Sequence, residues 1–137
     1  MKRSDFEIMA PVGSPESFAA ALRAGADSIY FCIENLNMRA HSASTFSIAD
    51  LKRIAQECRH CGVKSYLTVN TIIYQDELDA VHRMMLEAQD AGVDAFIIQD
   101  PAITTWDDIR VPLHASTQCA VRSARQAEFV KSLGFGR

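Results

Sequence analysis

Four times in this 137-residue chain a segment with helical spacing runs into a glycine, and the register then turns towards that of a strand. The stretches are Ala24-Gly25-Ala26-Asp27-Ser28-Ile29-Tyr30-Phe31, Cys61-Gly62-Val63-Lys64-Ser65-Tyr66-Leu67-Thr68-Val69, Ala91-Gly92-Val93-Asp94-Ala95-Phe96-Ile97-Ile98 and Leu133-Gly134-Phe135-Gly136-Arg137. Glycine stops a helix because it alone enters the left-handed conformation without strain. The first three stretches lead into apolar runs. The fourth reaches Arg137, where a further strand is expected to begin. A unit repeated in this way predicts an α/β fold built of parallel β/α units.

The rest of the chain fits that unit. Glu7 to Ala10 reads as a first strand, ended by Pro11-Val12-Gly13. Ser14 then caps a helix with Pro15 at its first position, where the missing N–H costs nothing. Phe18, Ala21 and Leu22 form its apolar face. Ser28 to Ile33 is a second strand, followed by a polar loop from Glu34 to Phe46. Ser47 caps a second helix, with Asp50 three residues on, and Leu51, Ile54, Ala55 and Cys58 repeat at helical spacing. Lys64 to Asn70 is a third strand, and Asp76 to Ala91 a third helix with Leu78, Val81, Met85 and Ala88 on one face. Ala95 to Gln99 is a fourth strand, Ala102 to Asp108 a short helix, Pro112 to Ser116 a fifth strand and Ser123 to Leu133 a last helix. Short, nearly continuous apolar strands are expected when both faces of a parallel sheet are covered. Two architectures satisfy this pattern: an open doubly wound sheet and a TIM-type (β/α) barrel. The barrel needs about 250 residues, so about five units over residues 1–137 make an incomplete one.

At 48% hydrophobic residues the chain can bury a substantial core. A formal charge of −3 with no basic block offers no broad footprint for nucleic acid, although a local groove stays open as a reading. No apolar run approaches the roughly 18 residues of a membrane span. The first residues carry no readable signal peptide, and the expected location is cytoplasmic. Cys32, Cys58, Cys61 and Cys119 are then expected as thiols. Cys58-Arg59-His60-Cys61 has the look of half a zinc site, but no second pair completes it, and Cys58 falls on an apolar helix face. The four cysteines match no iron–sulfur ligand spacing, so no metal site is predicted.

In either architecture ligands bind at the carboxyl ends of the strands. That rule selects Asn37 and Arg39 after the second strand, Asn70 after the third, Gln99 and Asp100 after the fourth, and His114, Ser116, Thr117 and Gln118 at the fifth. Arg39 has the planar fork that clamps a carboxylate or phosphate, or is a solvated loop residue. Asp100 is a candidate acid, base or orienting carboxylate. His114 is either a base or a packed barrel-interior residue. Ser116 lies on the same face of the strand as His114 and is a nucleophile only if a base reaches it; no glycine-framed elbow surrounds it. Ala10-Pro11-Val12-Gly13-Ser14 precedes a helix start that can bind an anion, but lacks the glycine patterns of phosphate loops.

Six segments taken in order, Met9-Ala10-Pro11-Val12-Gly13-Ser14, Ala24-Gly25-Ala26-Asp27-Ser28-Ile29-Tyr30, Asn37-Met38-Arg39-Ala40, Val69-Asn70-Thr71, Ile98-Gln99-Asp100 and His114-Ala115-Ser116-Thr117-Gln118, resemble the amino-terminal region of the collagenase-like peptidase family, peptidase family U-thirty-two. The resemblance covers essentially the whole chain. It implies a barrel-like catalytic domain of which residues 1–137 are the amino-terminal part. It implies hydrolysis of collagen-like peptides or hydroxylation of RNA (tRNA or rRNA), and other members look like quinone-hydroxylation enzymes. Some members pair hydroxylation with an iron–sulfur cluster and prephenate. It implies peptide or RNA as substrate, and the polar strand ends named above as site residues. Cys32-Ile33-Glu34 stands where the family often has glycines. The family's cysteine-rich signature lies beyond Arg137, so the cluster is expected in a longer protein and no cofactor in this chain. The chain is accordingly expected to be truncated, inactive alone, and prone to form a homodimer or otherwise self-associate through its open sheet edge. The alternative to a catalytic role is a non-catalytic assembly module.

Overall fold

The computed structural model describes residues 2–33 and 46–137. Asn37 and Arg39, two of the expected substrate-binding residues, fall outside the described residues. Strands and helices alternate: β1 (Met9–Val12), α1 (Pro15–Arg23), β2 (Ser28–Phe31), α2 (Leu51–His60), β3 (Lys64–Val69), α3 (Leu78–Ala91), β4 (Ala95–Ile98), β5 (Leu113–Ala115) and α4 (Ala124–Ser132). All five strands are parallel and lie in chain order, β1-β2-β3-β4-β5. A doubly wound sheet reverses its strand order at a switch point. This sheet has no reversal, so of the two architectures compatible with the sequence it is the incomplete (β/α) barrel.

The core lies between the sheet and its helices. Ile29 and Phe31, Leu67 and Val69, and Phe96 and Ile98 alternate along β2, β3 and β4, and each is no more than 1% exposed. They join one cluster with Phe18 of α1, Ile54 and Cys58 of α2, and Met85 and Ala88 of α3. Each of the Val, Leu, Ile, Phe and Met side chains among them contributes about 1.5–3 kcal/mol by leaving water. Cys58 therefore packs in the core, while Cys61 is exposed. Of the intervening strand positions, Pro11, Tyr30, Ile97 and His114 face the concave side and are half-buried or exposed, while Tyr66 and Thr68 are buried.

The glycine stops hold: Gly25, Gly62, Gly92 and Gly134 have φ of 74°, 69°, 97° and 107°. At Gly92 the left-handed turn lets its N–H donate to Ala88 and Gln89 carbonyls at the end of α3, and a Cβ there would run into the Arg59 guanidinium. Beyond Gly134 the chain turns onto the outer edge of β5, where the Gly136 N–H donates to Leu113 O (2.8 Å) and the Ala115 N–H to Arg137 O (2.6 Å).

Two expected elements differ. The first strand runs through Pro11 instead of ending before it, because β1 is an edge strand and an edge tolerates a missing N–H. The expected helix from Ala102 to Asp108 is only a 3₁₀ turn, Pro101–Thr105. Thr104 and Thr105 hydroxyls donate back to Pro101 and Ala102 carbonyls, both at 2.7 Å, competing with helical hydrogen bonds. The following loop is pinned to α3 instead. Gln89 bonds Asp108 O (3.1 Å) and the Arg110 N–H (2.6 Å), and His82 bonds Asp108 Oδ1 at 2.7 Å while lying against Trp106.

Candidate functional site

The parallel register carries the site. Val69, Ile98 and Ala115 stand side by side on β3, β4 and β5, so the residues that follow them, Asn70, Gln99 and Ser116, form the next rung at the carboxyl ends of the strands. Asn70 Nδ2 donates to Ser116 Oγ at 3.2 Å across this rung. Ser116, only 5% exposed, also accepts the Gln118 N–H at 3.3 Å, capping the 3₁₀ turn Thr117–Cys119. Its own N–H donates to Ile98 O at 2.8 Å. Two side-chain oxygens of this rung, Asn70 Oδ1 and Gln99 Oε1, are buried and have no hydrogen-bond partner among the described residues.

An open cleft of about 570 Å³ runs along the concave face from Met9 to this rung. Asn70, His114, Ser116, Thr117 and Gln118 line it, together with Tyr30, Cys32 and Arg137. Gln99 and Asp100 are not on its wall. The Asp100 carboxylate turns to the Ala102 N–H at 2.9 Å, as the cap of the turn that follows β4. The start of α1 also borders the cleft. There the Ser17 hydroxyl already accepts the Gly13 and Ser14 N–H groups at 3.1 and 2.9 Å, so these amides are not free to cradle a phosphate.

His114 and Ser116 share the cleft, but among the described residues no hydrogen bond joins them. The imidazole instead packs edge-on against Tyr66, with ring centroids 5.0 Å apart. Tyr66 Oη donates to Glu7 Oε1 at 2.7 Å, and Arg137 Nη1 donates to Glu7 Oε2 at 2.7 Å. The tyrosine hydrogen bond is the main cause that holds the Glu7 carboxyl down at about 2. Burial, then the neighbouring carboxylate, pushes the Tyr66 phenol up to about 12. His114 is shifted down, first by burial and then by the Arg137 charge. Its imidazole is therefore neutral at neutral pH.

Glu7, Tyr66 and Arg137 were not among the residues selected from sequence. Tyr66 carried a usable signal, since it alternates with Thr68 and Asn70 and must share their face. Glu7 precedes its strand and Arg137 follows the last helix, and neither position has a periodicity to read.

The four cysteines do not fit an iron–sulfur cluster. Cys58 is in the core and burial raises its thiol to about 12. Cys119 Sγ lies 3.6 Å from both Ile98 O and Gln99 O. Among the described residues no group of three or more His, Cys, Asp or Glu converges as a metal site. Among them, too, no helix is long and apolar enough to cross a membrane.

Known proteins resemble the chain throughout. The model of the family described as Peptidase family U32 matches residues 13–137. A protein named collagenase from Porphyromonas gingivalis is 50% identical over 130 residues, covering 94% of this chain and 31% of that protein. The 23S rRNA 5-hydroxycytidine C2501 synthase of Escherichia coli is 34% identical over 129 residues, covering 94% of this chain and 19% of the synthase. The chain thus spans a third or less of the length of these relatives. The solved U32 peptidase Mk0906 superposes with a TM-score of 0.75 at 13% identity, covering 94% of this chain and 56% of that one; at that identity the likeness speaks for the fold.

Proposed function

The chain belongs to peptidase family U32, and on that premise we propose that its concave face is the substrate-binding wall of a barrel enzyme that hydrolyses collagen-like peptides. The observation that carries this reading is the open cleft of about 570 Å³ at the carboxyl ends of the strands, lined, apart from Arg137, by uncharged polar and apolar groups. The relative 50% identical to this chain bears the name collagenase. Within this reading His114 is the candidate base, neutral at working pH, and Ser116 a binding or reacting hydroxyl. Asn70, Thr117 and Gln118 hold substrate. Asp100 and Gln99 support the wall from behind it. A reducing, cytoplasmic setting suits four free thiols.

The test is incubation of the protein, produced at the full length of the relatives it matches, with gelatin and with synthetic collagen-like peptides, followed by mass spectrometry of the products. New peptide termini that disappear in His114→Ala are expected. Absence of any cleavage product sinks the peptidase reading.

RNA hydroxylation is the second reading. One observation favours it: Ser116 Oγ is engaged by Asn70 and by the Gln118 N–H, so the rung holds binding groups in place of an assembled nucleophile and base. On this reading the iron–sulfur cluster belongs to the longer protein and not to these cysteines. Loss of a hydroxylated nucleotide from the RNA of a deletion strain, with gelatin left intact, decides for it.

A further inference from the structure

We infer that Asn70 and Ser116 form a subsite for one neutral peptide group of the substrate, the Asn70 amide oxygen accepting its N–H and the Ser116 hydroxyl donating to its C=O. This rests on the peptide reading above and assigns the chemistry of one place within it.

The two unpartnered oxygens, Asn70 Oδ1 and Gln99 Oε1, belong to neighbouring residues of one rung. Buried carbonyl oxygens without a donor are uncommon in folded proteins, and each needs an explanation. For Asn70 the explanation is the cleft whose wall it shares with Ser116. Ser116 Oγ already accepts two hydrogen bonds, from Asn70 Nδ2 and the Gln118 N–H. A hydroxyl with both lone pairs engaged still has its own proton to give. At the cleft wall Asn70 and Ser116 therefore offer one amide oxygen as acceptor and one hydroxyl as donor, both uncharged.

That set discriminates. A carboxylate or phosphate brings only acceptors and would face the Asn70 amide oxygen. A cation would lose water without a counter-charge, since the Asp100 carboxylate is turned to the Ala102 N–H. A peptide group brings one N–H and one C=O, the complement of what the rung presents. The rung also lies at the carboxyl ends of the strands, where barrel enzymes bind substrate.

The experiment is calorimetric binding of acetyl-Gly-Pro-Ala-Gly-Pro-Ala-amide to the protein, alongside ester analogues in which one backbone N–H at a time is replaced by oxygen. One ester position should lose about five- to tenfold in affinity, the worth of a single hydrogen bond. Asn70→Leu should weaken the all-amide peptide by a similar factor and abolish the amide-to-ester difference. Ser116→Ala should weaken amide and ester alike. The comparison of amide with ester on the unaltered protein needs no variant to fold. Esters that all bind as tightly as the amide overturn the inference, as does a folded Asn70→Leu protein with unchanged affinity; in both cases the peptide reading survives. A protein that binds no peptide fails that reading itself. Cytidine binding weakened by Asn70→Leu would then give the rung to a nucleobase and overturn the peptide assignment.

Discussion

At the scale of single residues, the ionised groups of the concave face hold one another in defined states. Glu7 titrates at about 2 in the fold, against 4.5 as its ordinary value. A depressed carboxyl stabilises the fold above the ordinary value, and that contribution is lost as the pH falls from about 4.5 towards 2. After allowance for solvent screening it amounts to about 1–2 kcal/mol. Glu7→Gln should therefore be less stable than the wild type at pH 7, with the gap closing as the pH approaches 2; denaturant melts at several pH values measure it, and a constant gap contradicts the assignment. The same variant removes the carboxylate that raises Tyr66, so the phenol should titrate lower in an ultraviolet pH scan. Ala120 is the non-glycine residue with positive φ, at 51°, among the described residues. That conformation costs an L-residue about 1 kcal/mol. Ala120→Gly should recover part of it as a rise in melting temperature, and a fall would show that the alanine methyl packs usefully. At this scale the sequence was only partly legible. His114, Asn70 and Ser116 were found from strand ends, and the structure puts all three on one cleft. The His114–Ser116 pairing did not follow, because sharing a face does not bring two side chains within hydrogen-bond reach, and each found a nearer partner.

At the scale of elements, helix ends decide where each β/α unit turns back. Ser14 accepts the Ser17 N–H at 3.2 Å while the Ser17 hydroxyl accepts the Ser14 N–H at 2.9 Å. Ser14→Ala should cost about 1 kcal/mol of stability, read in a denaturant melt. Gly92→Ala should cost at least about 1 kcal/mol, because the left-handed turn and the Arg59 guanidinium both oppose a Cβ. If Arg59→Ala restores Gly92→Ala only in part, the remainder measures the backbone strain. Helices α1 to α3 were readable because their apolar faces recur at helical spacing over nine or more residues. The segment after β4 was not, since its threonine hydroxyls and the amide of Gln89 on a distant helix settle its path.

At the scale of the whole molecule, the sheet keeps exposed apolar groups at its margins. Phe6 and Ile8 beside β1 are 53% and 51% exposed, and Phe129 on α4 is 63% exposed. Together with the free edge of β1, these should drive self-association. Light scattering after size exclusion, at tens of micromolar, is expected to give a mass above that of one 15.2 kDa chain; a monodisperse monomer refutes this. The sequence by itself determined the repeating β/α unit, the glycine stops, the helix faces and the polar strand ends, because each is written in local spacing that neighbours cannot alter. Its ordered motifs also pointed to the family to which the chain belongs. Only the tertiary structure decided that the sheet runs in strand order without reversal, that Glu7 and Arg137, 130 residues apart, meet at Tyr66, and that Asn70 and not His114 holds Ser116. Those are contacts between distant segments, fixed by how the sheet curves and which strands lie side by side, and no local pattern encodes them.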